Sequence, residues 1–238
     1  MKGSATRPYT RKIKRMIRAG LDIFIPPQCM GCGRLGATWC ESCRGALLAP
    51  PVGLSCPSCG LPRIHRKCSA CSTGLQSLRV SAIASYNPPL SDALVRFKYR
   101  PDVAFADILA SWLQQKLSML GWKPDVLVPV PLSKVRLQQR GYNQVELITS
   151  ALARSTKIPH ECSILIRDRD TRSQVGLDPR ARFANLDRAF KAESGALQDH
   201  KVLLVDDLLT TGATILSCAE ALVSAGASQV FALAIARA

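Results

Sequence analysis

No run in this sequence approaches the roughly 18 apolar residues that a membrane-crossing helix needs, so no transmembrane segment is expected. An export signal is lacking as well. The start carries Arg7, Arg11, Lys12, Lys14, Arg15 and Arg18 with no acid, but the apolar stretch Leu21–Ile25 is interrupted by Asp22 and stopped by Pro26 and Pro27. That is too short for a secretory apolar core, and a cytoplasmic location is expected. Acid is scarce: 17 Asp and Glu face 32 Lys and Arg, a formal charge of +15. The imbalance points to polyanionic company such as nucleic acid or a membrane surface, although a solvated basic surface gives the same count. Residues 1–25 read as a basic N-terminal segment. It is either a solvated amphipathic helix with Ile13, Met16 and Ile17 on one face, or an arm for nucleic acid or membrane.

Cysteine is nearly absent from the longer part of the chain, which holds only Cys162 and Cys218, whereas eight of the ten lie between Cys29 and Cys71. They form Cys29-x-x-Cys32, Cys40-x-x-Cys43, Cys56-x-x-Cys59 and Cys68-x-x-Cys71, with seven, twelve and eight residues between successive pairs. A two-residue gap lets both sulfurs of a knuckle reach one ion, and Gly31, Gly33 and Gly60 beside the knuckles permit tight turns. Two pairs make one tetrahedral thiolate site, so two structural Zn²⁺ ions in a double zinc-ribbon module over residues 26–74 are expected. Disulfides are the rival, but they suit an oxidising compartment. Sequential pairing of the knuckles is preferred because it leaves loops of hairpin length, while a crossed pairing stays open. Full thiolate coordination leaves no position for a substrate, which makes these sites structural. His65, between the last two knuckles, reads as a surface residue that could substitute as a ligand.

The texture changes near residues 73–78, and residues 79–238 alternate apolar runs with helical patterns. Strands are expected at Val80–Tyr86, Asp125–Val130, Ser163–Ile166, Lys201–Val205 and Gln229–Ala236. Helices are expected at Pro89–Tyr99, Val103–Leu120, Asn143–Ser155 and Ala213–Ala225. This alternation implies a parallel sheet with helices on its faces, whose ligands lie beyond the carboxyl ends of the strands. One strand end stands out. Lys201–Val205 runs into Asp206 and Asp207, then Thr210, Thr211, Gly212, Ala213 and Thr214 at the start of a helix. Hydroxyls and backbone N–H groups at a helix N-terminus favour a phosphate, and paired acids need a cation or sugar hydroxyls to meet them.

This string resembles the phosphoribosyl pyrophosphate (PRPP) fingerprint of type I phosphoribosyltransferases. The chain from Cys29 to Ala238 resembles the ComF family, competence-type proteins that join zinc-binding cysteines to such a domain. The resemblance also rests on Pro26-Pro27-x-Cys29, Phe97-Lys98-Tyr99-Arg100, Val128-Pro129-Val130-Pro131, Arg140-Gly141-Tyr142-Asn143-Gln144 and Thr171-x-x-Gln174-x-Gly176-Leu177 with Arg182 and Asn185. It departs at Pro101, where the family has glycine before the aspartate.

The resemblance implies an α/β fold of the type I phosphoribosyltransferase kind, a parallel sheet with helices on both faces, behind a small Cys-rich module. It implies that Asp206 and Asp207 meet the ribose hydroxyls as catalytic residues, with Mg²⁺ accompanying PRPP. Thr210, Thr211, Gly212, Ala213 and Thr214 would hold the 5-phosphate. Val128–Lys134, with Pro131 and Lys134, matches the pyrophosphate loop. Arg140 and the Arg167–Arg182 stretch would supply cations, the latter as a lid, though Arg172, Arg180 and Arg182 read equally as a solvated face. A hood over an acceptor base is expected from residues before Val128, and glutamine-driven amination is not expected. Three functions follow: a phosphoribosyltransferase with an unidentified acceptor, a PRPP-binding module without turnover, or a single-stranded-DNA-binding factor for natural transformation working with competence machinery. The last would use the ribbons and basic surface, with Trp39 beside Cys40 stacking on a base. A homodimer is a further implication.

Overall fold

The structure is a computed structural model that describes residues 26–50, 55–62, 68–72, 75–167 and 189–238. Two short helices belong to the cysteine-rich segment, α1 (Glu41–Gly45) and α2 (Ser69–Ser72). After them come β1 (Leu78–Ser85), α3 (Leu90–Phe97), α4 (Val103–Leu120), β2 (Val126–Pro129), α5 (Lys134–Arg140) and α6 (Gln144–Thr156). The chain continues through β3 (Leu165–Arg167), β4 (Phe190–Ala192), β5 (Lys201–Leu209), α7 (Ala213–Ser224) and β6 (Gln229–Arg237). Four strands form one sheet in the order β1-β6-β5-β2, and every pairing in it is parallel.

Side chains alternate across a strand, so β5 feeds two cores. Val202 and Leu204 face α7, among Ile215, Cys218, Ala219 and Leu222. Leu203 and Val205 face the other way, towards Phe97, Phe105, Leu109, Ile148 and Leu152 of α3, α4 and α6. The sheet is thus covered by helices on both faces, which is why β2 is buried at all four positions and reads as an unbroken apolar run. The cysteine clusters join these same cores. Cys29, Met30, Trp39 and Cys43 pack on the α3/α4 side, and Cys56, Cys59, Leu61 and Cys68 on the α7 side.

Two local expectations are corrected, and one helix was not expected. The strand expected at Ser163–Ile166 does not join the parallel sheet. Leu165–Arg167 pairs antiparallel with Phe190–Ala192 in a separate two-stranded ribbon. It is three residues long, and Leu165 and Phe190 bury against the α7 side. Helix α5 was not legible because it buries none of its residues and so leaves no apolar stripe. Ser133 starts it by accepting a hydrogen bond from the Arg136 N–H at 3.3 Å, and Gly141 ends it with φ 74°. Strand β5 continues four residues beyond its expected end at Val205, so Asp206 and Asp207 lie within the strand. No helix among the described residues is long and apolar enough to cross a membrane.

Candidate functional site

Register builds the site. Pro129 is paired with Val205, and Val130 N–H donates to Val205 O at 2.9 Å, so the residues following β2 lie beside Asp206 and Asp207. A pocket of about 160 Å³ opens there at the carboxyl end of the sheet. Its lining includes Pro131, Arg140, Arg167, Asp206, Asp207, Thr210 and Thr214, all expected from the sequence, together with Lys98, Arg136 and Gln144. Lys134 heads α5, and Thr211, Gly212 and Ala213 make the turn into α7; these four do not line the pocket. Gly212 has φ 80° and occupies the N-cap of α7, while Thr211 Oγ1 accepts from Ala213 N–H at 3.3 Å. Arg172, Arg180, Arg182, His65 and the basic segment 1–25 lie outside the described residues.

The paired acids fall on opposite faces of β5 and meet different surroundings. Asp207 points to the α3/α6 side. Its Oδ2 accepts from Gln144 Nε2 at 2.9 Å and stands 3.5 Å from Lys98 Nζ. Asp206 points to the α7 side, and its Oδ1 accepts from the Asp207 N–H at 2.8 Å. Both are 8% exposed. Burial first, and the adjacent Asp207 charge second, push the Asp206 carboxyl well above its ordinary value of 3.8, against a smaller opposing pull from the Asp207 N–H and Lys98. Among the described residues Asp206 has no salt-bridge partner. In its ionised form a buried carboxyl in such surroundings is stabilised by a cation or by hydroxyl donors.

The segment 140–144 gains a role at each position. Arg140 donates to Gln144 Oε1 at 3.1 Å, and its guanidinium lies 5.7 Å over the Tyr99 ring. The Tyr142 hydroxyl donates to Phe97 O, which ties this turn to the end of α3. Asn143 caps α6 through Val145 N–H at 3.0 Å and donates to Val130 O at 3.1 Å. Arg140, Gln144, Asp207 and Lys98 therefore form one chain of polar contacts along the pocket wall. Lys98 and Gln144 stand in the Phe97–Arg100 and Arg140–Gln144 motifs, but nothing in the sequence assigns either to the site. Their signal was polarity in positions that fold inwards: Gln144 and Asn143 are both buried.

The two cysteine clusters are Cys29, Cys32, Cys40, Cys43 and Cys56, Cys59, Cys68, Cys71, in each of which the ligand atoms lie within 4.8 Å of one another. This is the sequential pairing. A tetrahedral zinc with bonds near 2.3 Å spaces its sulfurs about 3.8 Å apart. Here Cys29 and Cys43 Sγ lie 3.7 Å apart, Cys32 and Cys40 3.6 Å, Cys56 and Cys71 3.7 Å, and Cys59 and Cys68 3.5 Å. Both clusters are compatible with structural zinc. Burial alone would raise the Cys29 thiol, but N–H groups of Cys32, Cys40 and Gly31 bring it down to about 6. At Cys56 burial is likewise outweighed, by the N–H groups of Cys59 and Ser58 and by the Cys68 and Cys71 thiols, which bring it to about 6.

Trp39 does not serve as a stacking platform. It is 4% exposed and packs on Phe105 and Trp112 with centroid distances of 5.8 and 5.7 Å, because the first cluster is folded onto α4.

Comparison with known proteins agrees with this geometry. The phosphoribosyl transferase domain family matches residues 99–237. The chain is 34% identical to the DNA utilization protein YhgH of Escherichia coli (strain K12) over 184 residues, 74% of this chain and 80% of that protein. It is 31% identical to the competence protein ComFC of Bacillus subtilis (strain 168) over 198 residues, 79% of this chain and 78% of the relative. Among solved structures, the allosteric regulatory enzyme of purine biosynthesis is similar at 24% identity with a TM-score of 0.40, covering 59% of this chain and 29% of the other.

Proposed function

From the premise that this chain belongs to the phosphoribosyl transferase domain family, as one of its ComF-type members, we propose that its pocket binds PRPP with Mg²⁺ and supports transfer of the phosphoribosyl group. The observation that carries this reading is the unequal acid pair. Asp207 is already held by Lys98 and Gln144, while Asp206 is buried, raised in pKa and without a salt-bridge partner among the described residues. A ribose with vicinal hydroxyls, or the metal that accompanies its pyrophosphate, supplies what Asp206 needs.

In this reading Thr210, Thr211, Gly212, Ala213 and Thr214 hold the 5-phosphate at the N-terminus of α7. Pro131, Lys134 and Arg140 serve the pyrophosphate, and Arg182 is a further candidate for it. Asp206 and Asp207 would hold the Mg²⁺, whose charge offsets that of the leaving pyrophosphate when bound. The bond from C1 to the pyrophosphate oxygen breaks as a nucleophile bonds to C1, and positive charge builds on the sugar ring. Asp206 and Asp207 hold the ring near that charge through its hydroxyls.

The test is calorimetric titration of the zinc-loaded protein with PRPP and Mg²⁺. Micromolar binding with one site per chain is expected, and pyrophosphate release that depends on one added acceptor would identify transfer. Heat-silent mixing at millimolar PRPP would sink the reading.

The names of the relatives, competence and DNA utilization, together with the charge of +15, support a setting in DNA uptake with contact to single strands. With Trp39 buried, that contact rests on basic surface. Affinity for single-stranded DNA is then expected to fall about 0.7 log units per log unit of salt for each phosphate neutralised. A flat salt response in a fluorescence anisotropy titration would rule this contact out.

A further inference from the structure

The two cysteine clusters begin with the same local structure. In the first, Cys29 N–H bonds Arg34 O at 2.8 Å and Gly33 N–H bonds Cys29 O at 2.9 Å. In the second, Cys56 N–H bonds Leu61 O at 2.8 Å and Gly60 N–H bonds Cys56 O at 2.8 Å. The isolated bridges Gln28 to Leu35 and Ser55 to Pro62 complete the equivalence. Arg34 and Leu35 are therefore the counterparts of Leu61 and Pro62. The side chains differ: Arg34 and Leu35 are exposed, whereas Leu61 is 1% exposed. A buried leucine at this position is not a requirement of the knuckle, since its counterpart holds an exposed arginine.

What Leu61 meets is the turn into α7. A Cβ placed on Gly212 would fall 2.3 Å from Leu61 Cδ2 and 3.3 Å from Pro62 Cδ, so the backbone of the turn rests directly on these two side chains. The knuckle that carries them is fixed in turn to the sheet. Cys59 O accepts from Val80 N–H at 2.6 Å, and Arg237, the last residue of β6, donates to Ser55 Oγ. Gly60 is packed so closely that a Cβ there would lie 1.9 Å from Val80 O.

We propose that Leu61 is a positioning residue for the phosphate-holding turn, a wedge carried by the second cysteine cluster that sets the height of Gly212 under the ligand. The proposal rests on the phosphoribosyl reading of the pocket. Leu61 touches no ligand. It fixes the turn whose N–H groups and hydroxyls would bind the 5-phosphate, and hydrogen bonds to a charged group fall away steeply with small displacements.

The experiment compares the zinc-loaded protein with Leu61→Ala, Leu61→Met and Arg34→Ala, using ribose 5-phosphate as the probe of this end of the pocket. Leu61→Ala is expected to weaken ribose 5-phosphate about tenfold or more, the loss of one charge-assisted hydrogen bond. Leu61→Met, which refills the volume, restores most of that affinity, and Arg34→Ala leaves it unchanged. Two equivalents of zinc per chain and an unchanged affinity for magnesium pyrophosphate separate positioning from general damage. Amide exchange of the peptide spanning residues 208–216 is measured in the same variants without ligand. Faster exchange in Leu61→Ala supports the wedge even if the unaltered protein binds no ribose 5-phosphate, an outcome that would count against the phosphoribosyl reading alone. Exchange and affinity equal to those of the unaltered protein overturn the proposal. If Leu61→Ala loses zinc, Leu61→Val reads the same contact with a smaller cavity, by the same criteria.

Discussion

Replacing Asp206 and Asp207 together by asparagine is expected to abolish magnesium-dependent PRPP binding, by at least about a hundredfold in Kd, because two hydrogen-bonded charges are lost at once. The same change at Asp206 alone carries a second signature, in stability. The carboxyl of Asp206 is raised above 3.8, so between that value and its raised one the folded protein holds a proton that the unfolded chain has released. Stability is therefore lost as pH rises through this window, and the loss persists above it. Asparagine keeps the acceptor for the Asp207 N–H and removes the charge. Asp206→Asn is thus expected to melt a few degrees (~2–6 °C) higher than the unaltered protein at pH 7 and to lose that advantage towards pH 4. Thermal unfolding followed at both pH values checks it. A lower midpoint at neutral pH would mean that the Asp206 charge is compensated within the folded chain.

Stripping metal from the cysteine clusters is expected to remove the cooperative unfolding transition of the whole molecule, and not merely that of the N-terminal part. Metal binding contributes about 10–16 kcal/mol per structural zinc site, as large as the net stability of a typical domain. The effect spreads because the clusters are continuous with the two cores. Cys29 and Cys43 pack with Phe97 and Phe105, and Cys56, Cys59 and Cys68 with Leu204 and Ile215. Arg96 of α3 also donates to the carbonyls of Met30 and Gly31, so the first cluster anchors the helix that ends next to Lys98. Chelation followed by far-ultraviolet circular dichroism and a chromophoric zinc assay would show release of two equivalents and loss of the sharp transition. A stripped protein that melts at the original midpoint would refute it.

Much of this molecule was legible in one dimension. Cysteine spacing marks four knuckles whose two sulfurs can share one ion, and the preferred sequential pairing, with its loops of seven and eight residues, matches the clusters found, although spacing alone left a crossed pairing open. Strand and helix periods mark the parallel sheet, because each reports only on which side of the local backbone is buried. The acids near the end of the Lys201 strand and the threonines that follow it lie within nine residues, so their meeting at one strand end needed no long-range information.

What only the tertiary structure decided are the contacts between distant positions. Asp206 and Asp207 look alike in the sequence, and alternation along β5 sends one towards α7 and the other towards Lys98 and Gln144, which lie far away in the chain. Trp39 looks like a surface aromatic beside a zinc ligand until the first cluster is laid on α4. Leu61 looks like any knuckle residue until Gly212 is found against it. In each case residue type and spacing describe the neighbourhood within a few positions, while partner and burial depend on which elements the sheet brings together.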